Sequence, residues 1–567
     1  MIILKRFLPY LLILVFAFFA FKPLLAPGFF PIHDNTQVAR VYEMTQGLKD
    51  GMFPVRWSKD LGYGFGYPIF NYYDPLLYYA GGFVSILGAD ALSATKLMVI
   101  LGILLSGFSM YLFAKEFWGK WGGILSSVLY VFAPFHAVDI FVRGDFAESF
   151  AYAFIPFVFY GLWKTYKQKK WKYVVISSFS YAAVIVSHNL YALMISPFIV
   201  LFVIFLIFKD KKVNKKISLL LILSIILGIL ISAFYSFPAI LEMKYTNILS
   251  QVGGGADYKD HFVCLLQLWT SPWGYGGSAK GCIDGLSFMI GKYHIIFSFL
   301  ALVITVLTLF NRKISNKFRE EKEKLLIVIL FFIFLLFSAF LTLEISRPVW
   351  DLLSFMAFLQ YPWRFLAVIG FFTSFISGFL VWFVSFLTKN EKYTYACGIL
   401  ISIFIVLVSI KFFAPQSILK TTAGDYTNSY ALNFTSSKIS DEYMPMDFNK
   451  PNEPTEVANF NSLNSRDLMI TSITKKTQLI NIDYTAGKNL QTVIPLAYFP
   501  AWKASLDGEN IDIRQSARGI LVNLISGKHT LNLVFVQTGV EKLGNLISII
   551  GISFLFLGII HFKRKYD

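Results

Sequence analysis

Long uninterrupted apolar runs constrain this chain more than any other feature. Runs of roughly 18 or more apolar residues recur along the 567 positions, and each is long enough to cross a hydrocarbon core about 30 Å thick. A hydrocarbon core offers the backbone no water to bond, so segments facing lipid must be helical. Composition agrees: 56% of residues are hydrophobic and 15% charged, against about 25% charged in a soluble chain. The first run, 7–26, is too long for a signal peptide and lacks a small-residue cleavage pattern, so it reads as a retained span.

The formal net charge is +17, from 51 Lys and Arg against 34 Asp and Glu. In a soluble protein that excess would suggest nucleic acid. Here the basic residues sit in short clusters between apolar runs, as the positive-inside rule produces, and nucleic-acid binding is not expected. The clusters are Lys5-Arg6, Lys115 to Lys120, Lys164 to Lys172, Lys209 to Lys216, Arg312 to Lys324, Lys389 to Lys392 and Lys563 to Lys565. Placing all of them in the cytoplasm gives about twelve spans, at 7–26, 92–114, 121–138, 147–163, 172–188, 190–208, 217–237, 286–310, 324–343, 363–388, 393–413 and 542–562. Both termini are then cytoplasmic. The stretch 75–88 carries an internal Gly-Gly and has only 14 residues, so it is expected at the outer surface rather than across the bilayer.

This topology sends the long loops outside: 27–91, 139–146, 238–285 and 344–362. Residues 1–413 form one transmembrane unit, 414–541 an extracytoplasmic domain, and 542–567 a last span with a basic tail. Within 470–540, short alternating runs such as LINIDYTAG, ILVNLISG and HTLNLVFVQT are separated by turn residues and read as strands of a small β-sandwich. Cys264 and Cys282 share one outer loop, where a disulfide and two free thiols are both open readings; Cys397 lies in an apolar run.

The first outer loop begins FFPIHDNTQVAR. Val38, Val41, Met44 and Leu48 recur at helical spacing, so a short amphipathic helix is expected from about 35 to 49, near the membrane surface. Asp34, three residues before Gln37, resembles a capping box, which would hold its carboxylate against backbone N–H groups. Farther on, Arg56, Lys59, Asp60, Asn71 and Asp74 are interleaved with tyrosines and glycines. Aromatic faces beside carboxylates and amides suit a sugar, with its apolar ring face and hydroxyl edges. They also suit an interfacial aromatic belt.

These residues carry a family resemblance. HDNTQVARVYEMTQGLKDGMFPVRW (33–57) with GYGFGYPIFNYYDPL (62–76) resembles bacterial polytopic proteins known as 6-pyruvoyl-tetrahydropterin synthase-related membrane proteins, similar in plan to GT-C glycosyltransferases. RGDFAES (143–149), SHNL (187–190), SPWGYGGSAKGCIDGLSFMIG (271–291) and LQYPWRFL (359–366) fit the same likeness. YFPAWKASLDG (498–508) resembles an element of related membrane proteins, with Ala501 in place of the usual glycine. The pterin name brings no chemistry, because no His triad or catalytic Cys of a pterin synthase is present.

The resemblance implies transfer of a sugar from a polyprenyl-phosphate carrier to an acceptor on the outer face of the bacterial cytoplasmic membrane. The acceptor would be an unidentified component of the cell envelope. Asp34 takes the place of the catalytic carboxylate, acting as general base in an inverting displacement. Arg143, Arg364 and Arg56 become phosphate donors, and His33, Glu148, His188, Asn189 and Trp363 become substrate contacts. Arg143 could equally pair with Asp145 or Glu148. Asp34, Asp139, Asp145 and Glu148 are candidate ligands for Mg²⁺ or Mn²⁺, though no spacing demands a metal. A non-catalytic accessory protein and a lipid-linked glycan transporter are the alternatives. The transporter would favour ionisable groups at helix midpoints, which are few here.

Overall fold

The computed structural model describes residues 2–210, 212–253, 256–311 and 318–566. Part of the basic cluster Arg312 to Lys324 lies outside these residues, as do Lys211 and the side chains of Lys5, Arg6 and Lys563 to Lys565.

Thirteen helices of more than ten residues carry the architecture among the described residues. They are α1 (Ile2–Phe21), α2 (Gln37–Lys49), α3 (Leu76–Ile86), α4 (Ala91–Val131), α5 (Phe146–Gln168), α6 (Trp171–Ser187), α7 (Asn189–Phe208), α8 (Lys215–Leu241), α9 (Lys292–Phe310), α10 (Lys322–Thr342), α11 (Phe365–Thr388), α12 (Glu391–Ser409) and α13 (Gly539–Tyr566). Among the described residues, ten helical segments are long and apolar enough to cross a membrane. The count of twelve from sequence differs for two local reasons. The 41-residue α4 is two helices in one, broken where Gly119 takes φ 69°, and α6 stops at 17 residues. The 286–310 run becomes helical only at Lys292, after Gly291 turns the chain at φ 106°.

The short apolar segment α3 has 11 residues, too few to cross. Its glycine pair has a packing purpose. A Cβ on Gly81 would come within 3.0 Å of Val41, and one on Gly82 within 3.0 Å of Met44, so α3 can lie directly on α2. That contact overturns one expectation. Instead of exposing a polar face at the membrane surface, α2 buries Gln37, Arg40, Glu43 and Thr45 along with its apolar residues.

Eight strands follow: β1 (Leu468–Lys476), β2 (Leu479–Ala486), β3 (Leu490–Ile494), β4 (Trp502–Leu506), β5 (Glu509–Ile511), β6 (Arg514–Ser516), β7 (Gly519–Leu524) and β8 (Gly527–Phe535). They form two antiparallel sheets, ordered β1-β2-β8-β4-β5 and β3-β7-β6. Ile480, Ile482, Leu531 and Leu533 from the first sheet and Ile520, Val522 and Leu524 from the second are buried in one core. This is the sandwich expected from the alternating pattern. Trp57 of the first loop packs edge-on against Trp502 at 5.4 Å, so that loop and the sheet share a core. Cys264 and Cys282 are joined as a disulfide, which resolves the two open readings.

Candidate functional site

A cleft of about 550 Å³ gathers residues from six separate parts of the chain. That volume suits a small ligand or a sugar headgroup. Its lining includes His33, Asp34, Thr36 and Arg40 from the first loop and the start of α2, and Arg143 and Asp145 from the second loop. His188 and Asn189 come from the α6–α7 junction, Trp363 and Arg364 from the start of α11, and Ser440, Glu442 and Tyr443 from the segment before the sheets.

The second loop is shaped by local geometry. Residues Asp139–Arg143 form a wide π-helical turn, and Gly144 closes it at φ 71°. The backbones of His33 and Asp34 then donate to the carbonyls of Val142 and Arg143, at 3.1 and 2.9 Å. Two backbone bonds therefore fix Asp34 beside Arg143. Gly144 makes this approach possible: a Cβ there would lie 2.5 Å from Ile32. Gly144→Ala must accept both the clash and a left-handed backbone that costs an L-residue roughly 1–2 kcal/mol. The expected outcome is a thermal midpoint lowered by several degrees, which a melting curve checks.

Arg143 is enclosed by acids. It pairs with Asp139, reaches Glu148 Oε2 at 2.7 Å and Asp145 Oδ2 at 2.9 Å, and lies 4.9 Å from the Trp363 ring. Arg364 reaches the same Glu148 oxygen at 3.0 Å and lies 3.6 Å from Asp145. His188 caps α7, with Nδ1 accepting the Tyr191 N–H at 3.0 Å, and its Nε2 lies 3.5 Å from Asp145 Oδ2. All of these groups are buried. Burial opposes the charge on Asp145, but His188 and Arg143 hold its carboxyl well below the usual carboxylate range. Burial also opposes a charge on His188, and Asp145 outweighs it, so the imidazole pKa is raised.

Asp34 behaves differently. It is half-buried, and its carboxylate accepts no hydrogen bond and forms no ion pair among the described residues. Burial and the nearby Asp145 raise its pKa, against the pull of Arg143, Arg40 and Arg364. The capping expectation fails, because α2 starts at Gln37 behind Thr36 and the Gln37 side chain bonds to Gly144 and Tyr78. Asp34 is thus left free to face the cleft.

The other expected residues divide. His33 lines the cleft and donates from Nε2 to the Tyr275 carbonyl at 3.0 Å. Asn189 lines it too, but its amide goes to the Tyr235 hydroxyl and its backbone N–H to Asp74. Trp363 is a buried wall stacked on Tyr361 at 4.9 Å. Arg56 is absent from the lining. It is 1% exposed and bonds to Asn71, the Phe234 carbonyl and Asn545, tying the first loop to α8 and α13. This is a structural clamp, and it corrects the phosphate-donor expectation for Arg56.

Among the described residues, one group of three could hold a cation: Asp145, Glu148 and His188 each offer a ligand atom within 4.8 Å of the others. Glu148 Oε1 is buried without a hydrogen-bond partner, as such a role would leave it. Asp34 and Asp139, expected as candidates, are not in the group, and His188 takes their place. Glu148 Oε2 and Asp145 Oδ2 also neutralise Arg143 and Arg364.

Sequence reasoning missed Thr36, Arg40, Ser440, Glu442 and Tyr443. Asp74, noted only as an acid among aromatics, proves to be a hub that bonds Asn189 and Tyr235. Its carboxyl is pushed up to about 6 by burial. The available signal for Arg40 was a charged residue on the apolar stripe of α2, between Val38, Val41 and Met44.

Known proteins can be set beside this geometry. Residues 70–252 match the family model of the 6-pyruvoyl-tetrahydropterin synthase related domain, a membrane protein family. The matched stretch holds Arg143, Glu148 and His188, and leaves Asp34 and Arg364 outside. An uncharacterised protein of Lactococcus lactis subsp. cremoris is 25% identical over 319 residues, 54% of this chain. The aligned stretch spans 50% of that relative's length. Among solved structures, the mycobacterial arabinofuranosyltransferase AftD aligns over 73% of this chain and 27% of its own, at 12% identity and a TM-score of 0.42. The oligosaccharyltransferase of Archaeoglobus fulgidus, solved with zinc and sulfate, aligns over 79% and 58%, at 14% identity and 0.36. ArnT of Cupriavidus metallidurans, solved with undecaprenyl phosphate, aligns over 77% and 77%, at 12% identity and 0.36.

Proposed function

We propose that this membrane protein is a glycosyltransferase that moves a sugar from a polyprenyl-phosphate carrier to an envelope acceptor. The cleft would face the outer side, with both termini in the cytoplasm. The observation that carries the reading is the contrast among the cleft carboxylates. Asp145 and Asp74 are held by two or more partners each, whereas Asp34 is held by its backbone and its carboxylate is free.

In the proposed step, an acceptor hydroxyl attacks the anomeric carbon of the donor. The new C–O bond forms as the bond from that carbon to the carrier phosphate breaks. Asp34 takes the hydroxyl proton, and polyprenyl phosphate leaves with the electron pair. Attack opposite the leaving group inverts the anomeric centre. The tyrosine and tryptophan walls suit a sugar ring, and burial strengthens every charge interaction inside the cleft.

The raised pKa of Asp34 bears on rate. A general base works best when its pKa approaches the operating pH. The base form is the ionised one, so activity is expected to rise with pH through the Asp34 pKa. The acid limb of kcat/KM should lie above the ordinary carboxylate value of about 3.9 and disappear in Asp34→Asn. Anomer-resolved NMR of the product tests the stereochemistry: inversion supports the mechanism, and retention removes Asp34 from the role of base.

A further inference from the structure

The cleft contains a second arginine environment, and its ion pairing differs from that of the Arg143 cluster. Around Arg143 and Arg364, two cations meet three carboxylates, Asp139, Asp145 and Glu148. An incoming phosphate would meet cations that are already paired with carboxylates. Arg40 has no carboxylate within ion-pair distance among the described residues. It is 4% exposed and lines the cleft. Its guanidinium lies 3.7 Å over the Tyr73 ring and donates to Ser440 Oγ at 2.8 Å and Tyr78 at 3.4 Å. Glu442 and Asp34 are opposite charges beyond ion-pair distance, and the Ser440 hydroxyl bridges toward Glu442, 3.5 Å from its Oε1.

A buried cation without a direct ion-pair partner is costly unless something neutralises it. Guanidinium carries five N–H donors, and the Arg40 bonds above use two. The Arg40 Nε is buried without a partner. A second unsatisfied group lies one turn earlier: the Thr36 hydroxyl is buried, lines the cleft and has no partner. Thr36 is also the N-cap of the 13-residue α2, whose start carries partial positive charge.

We propose that Arg40 and the Thr36 hydroxyl, at the start of α2, form an anion subsite that takes the phosphate of the lipid-linked substrate. This rests on the donor reading above and transfers the phosphate role away from Arg143 and Arg364. Those two arginines position Asp145 and Glu148. Asp34 precedes Thr36 by two residues, bonds through its backbone N–H to the Arg143 carbonyl and borders the same cleft, so a phosphate at Arg40 leaves the base beside the reacting sugar.

The test is binding by the full chain in nanodiscs, with a C55 polyprenyl phosphate, the uncharged C55 polyprenol and inorganic phosphate as separate probes. Wild type is expected to bind the phosphorylated lipid more tightly than the alcohol. Arg40→Gln should erase that preference, weakening the phosphorylated lipid by about 10- to 100-fold, the scale of a charge-assisted bond, while polyprenol binding is unchanged. Arg40→Lys should retain most of the preference, and Thr36→Val should weaken it about threefold. A merely structural Arg40 would lower stability and both lipid affinities together.

A folded Arg40→Gln that keeps the preference overturns the subsite. If Arg40→Gln does not fold, an unchanged Thr36→Val overturns it. If wild type ignores the phosphorylated lipid, the donor reading fails by itself. Inorganic phosphate then decides, because Arg40-dependent binding sustains the subsite and its absence ends it.

Discussion

Asp34→Asn is expected to lower sugar transfer by about 10²- to 10⁴-fold, the usual contribution of a general base, with the fold intact. The second half of that expectation is as specific as the first. Asp34 contributes backbone bonds to the second loop and no side-chain bond among the described residues, so an isosteric amide removes no packing and leaves no partner stranded. A thermal midpoint within a degree or two of wild type, together with collapsed turnover, is the expected pattern. The loss should fall on kcat rather than on donor affinity, because the carboxylate meets the acceptor hydroxyl and not the carrier phosphate.

Arg143→Met should do the reverse and damage the fold first. The side chain is buried and is the shared counter-ion of Asp139, Asp145 and Glu148. Removing it leaves three buried acids with Arg364 and His188 as the remaining cationic partners. Breaking a buried ion network by deleting one partner typically costs 3–5 kcal/mol. The expected variant is recovered from detergent in low yield, or melts well below wild type and binds its lipid substrate poorly. Arg143→Lys is expected to recover part of the stability, since one ammonium replaces the charge but not the forked geometry that reaches three acids. Melting curves of the three proteins check this. Equal stability of Arg143→Met and wild type would mean that the acids carry protons and need no counter-ion.

Much of the fold was legible because lipid and water impose simple rules. Apolar run length located the spans, and basic clusters located the short loops between them. Alternation located most of the strands, including LINIDYTAG and HTLNLVFVQT. The exceptions have local causes. Gly119 hides a break inside α4 without interrupting the apolar run. Strand β1, LMITSITKK, is an edge strand with a mostly exposed face, so its alternation is weak.

The site was legible only in part. Asp34, Arg143, Glu148, His188 and Arg364 could be singled out, but Arg364 meets Glu148 across 216 residues of chain and no spacing reports that contact. The same limit applies to Arg56, whose clamp to Asn545 spans 489 residues. Arg40 was not singled out in the sequence. It became a buried cation only because α3 and the segment around Ser440 cover that helix, and neither covering is written in the local pattern. The capping reading of Asp34 failed for a related reason: the second loop claims the backbone at 33–34, and α2 begins later.

The most direct test of the central claim is release of free polyprenyl phosphate by purified protein in nanodiscs. The protein would be supplied with a panel of polyprenyl-phosphate sugars and a host membrane extract as acceptor. The account predicts release from at least one donor by wild type, matched by labelled sugar in the acceptor fraction, and background release by Asp34→Asn. Release by Asp34→Asn equal to wild type, or donors that bind yet yield no transfer from either protein, would contradict it.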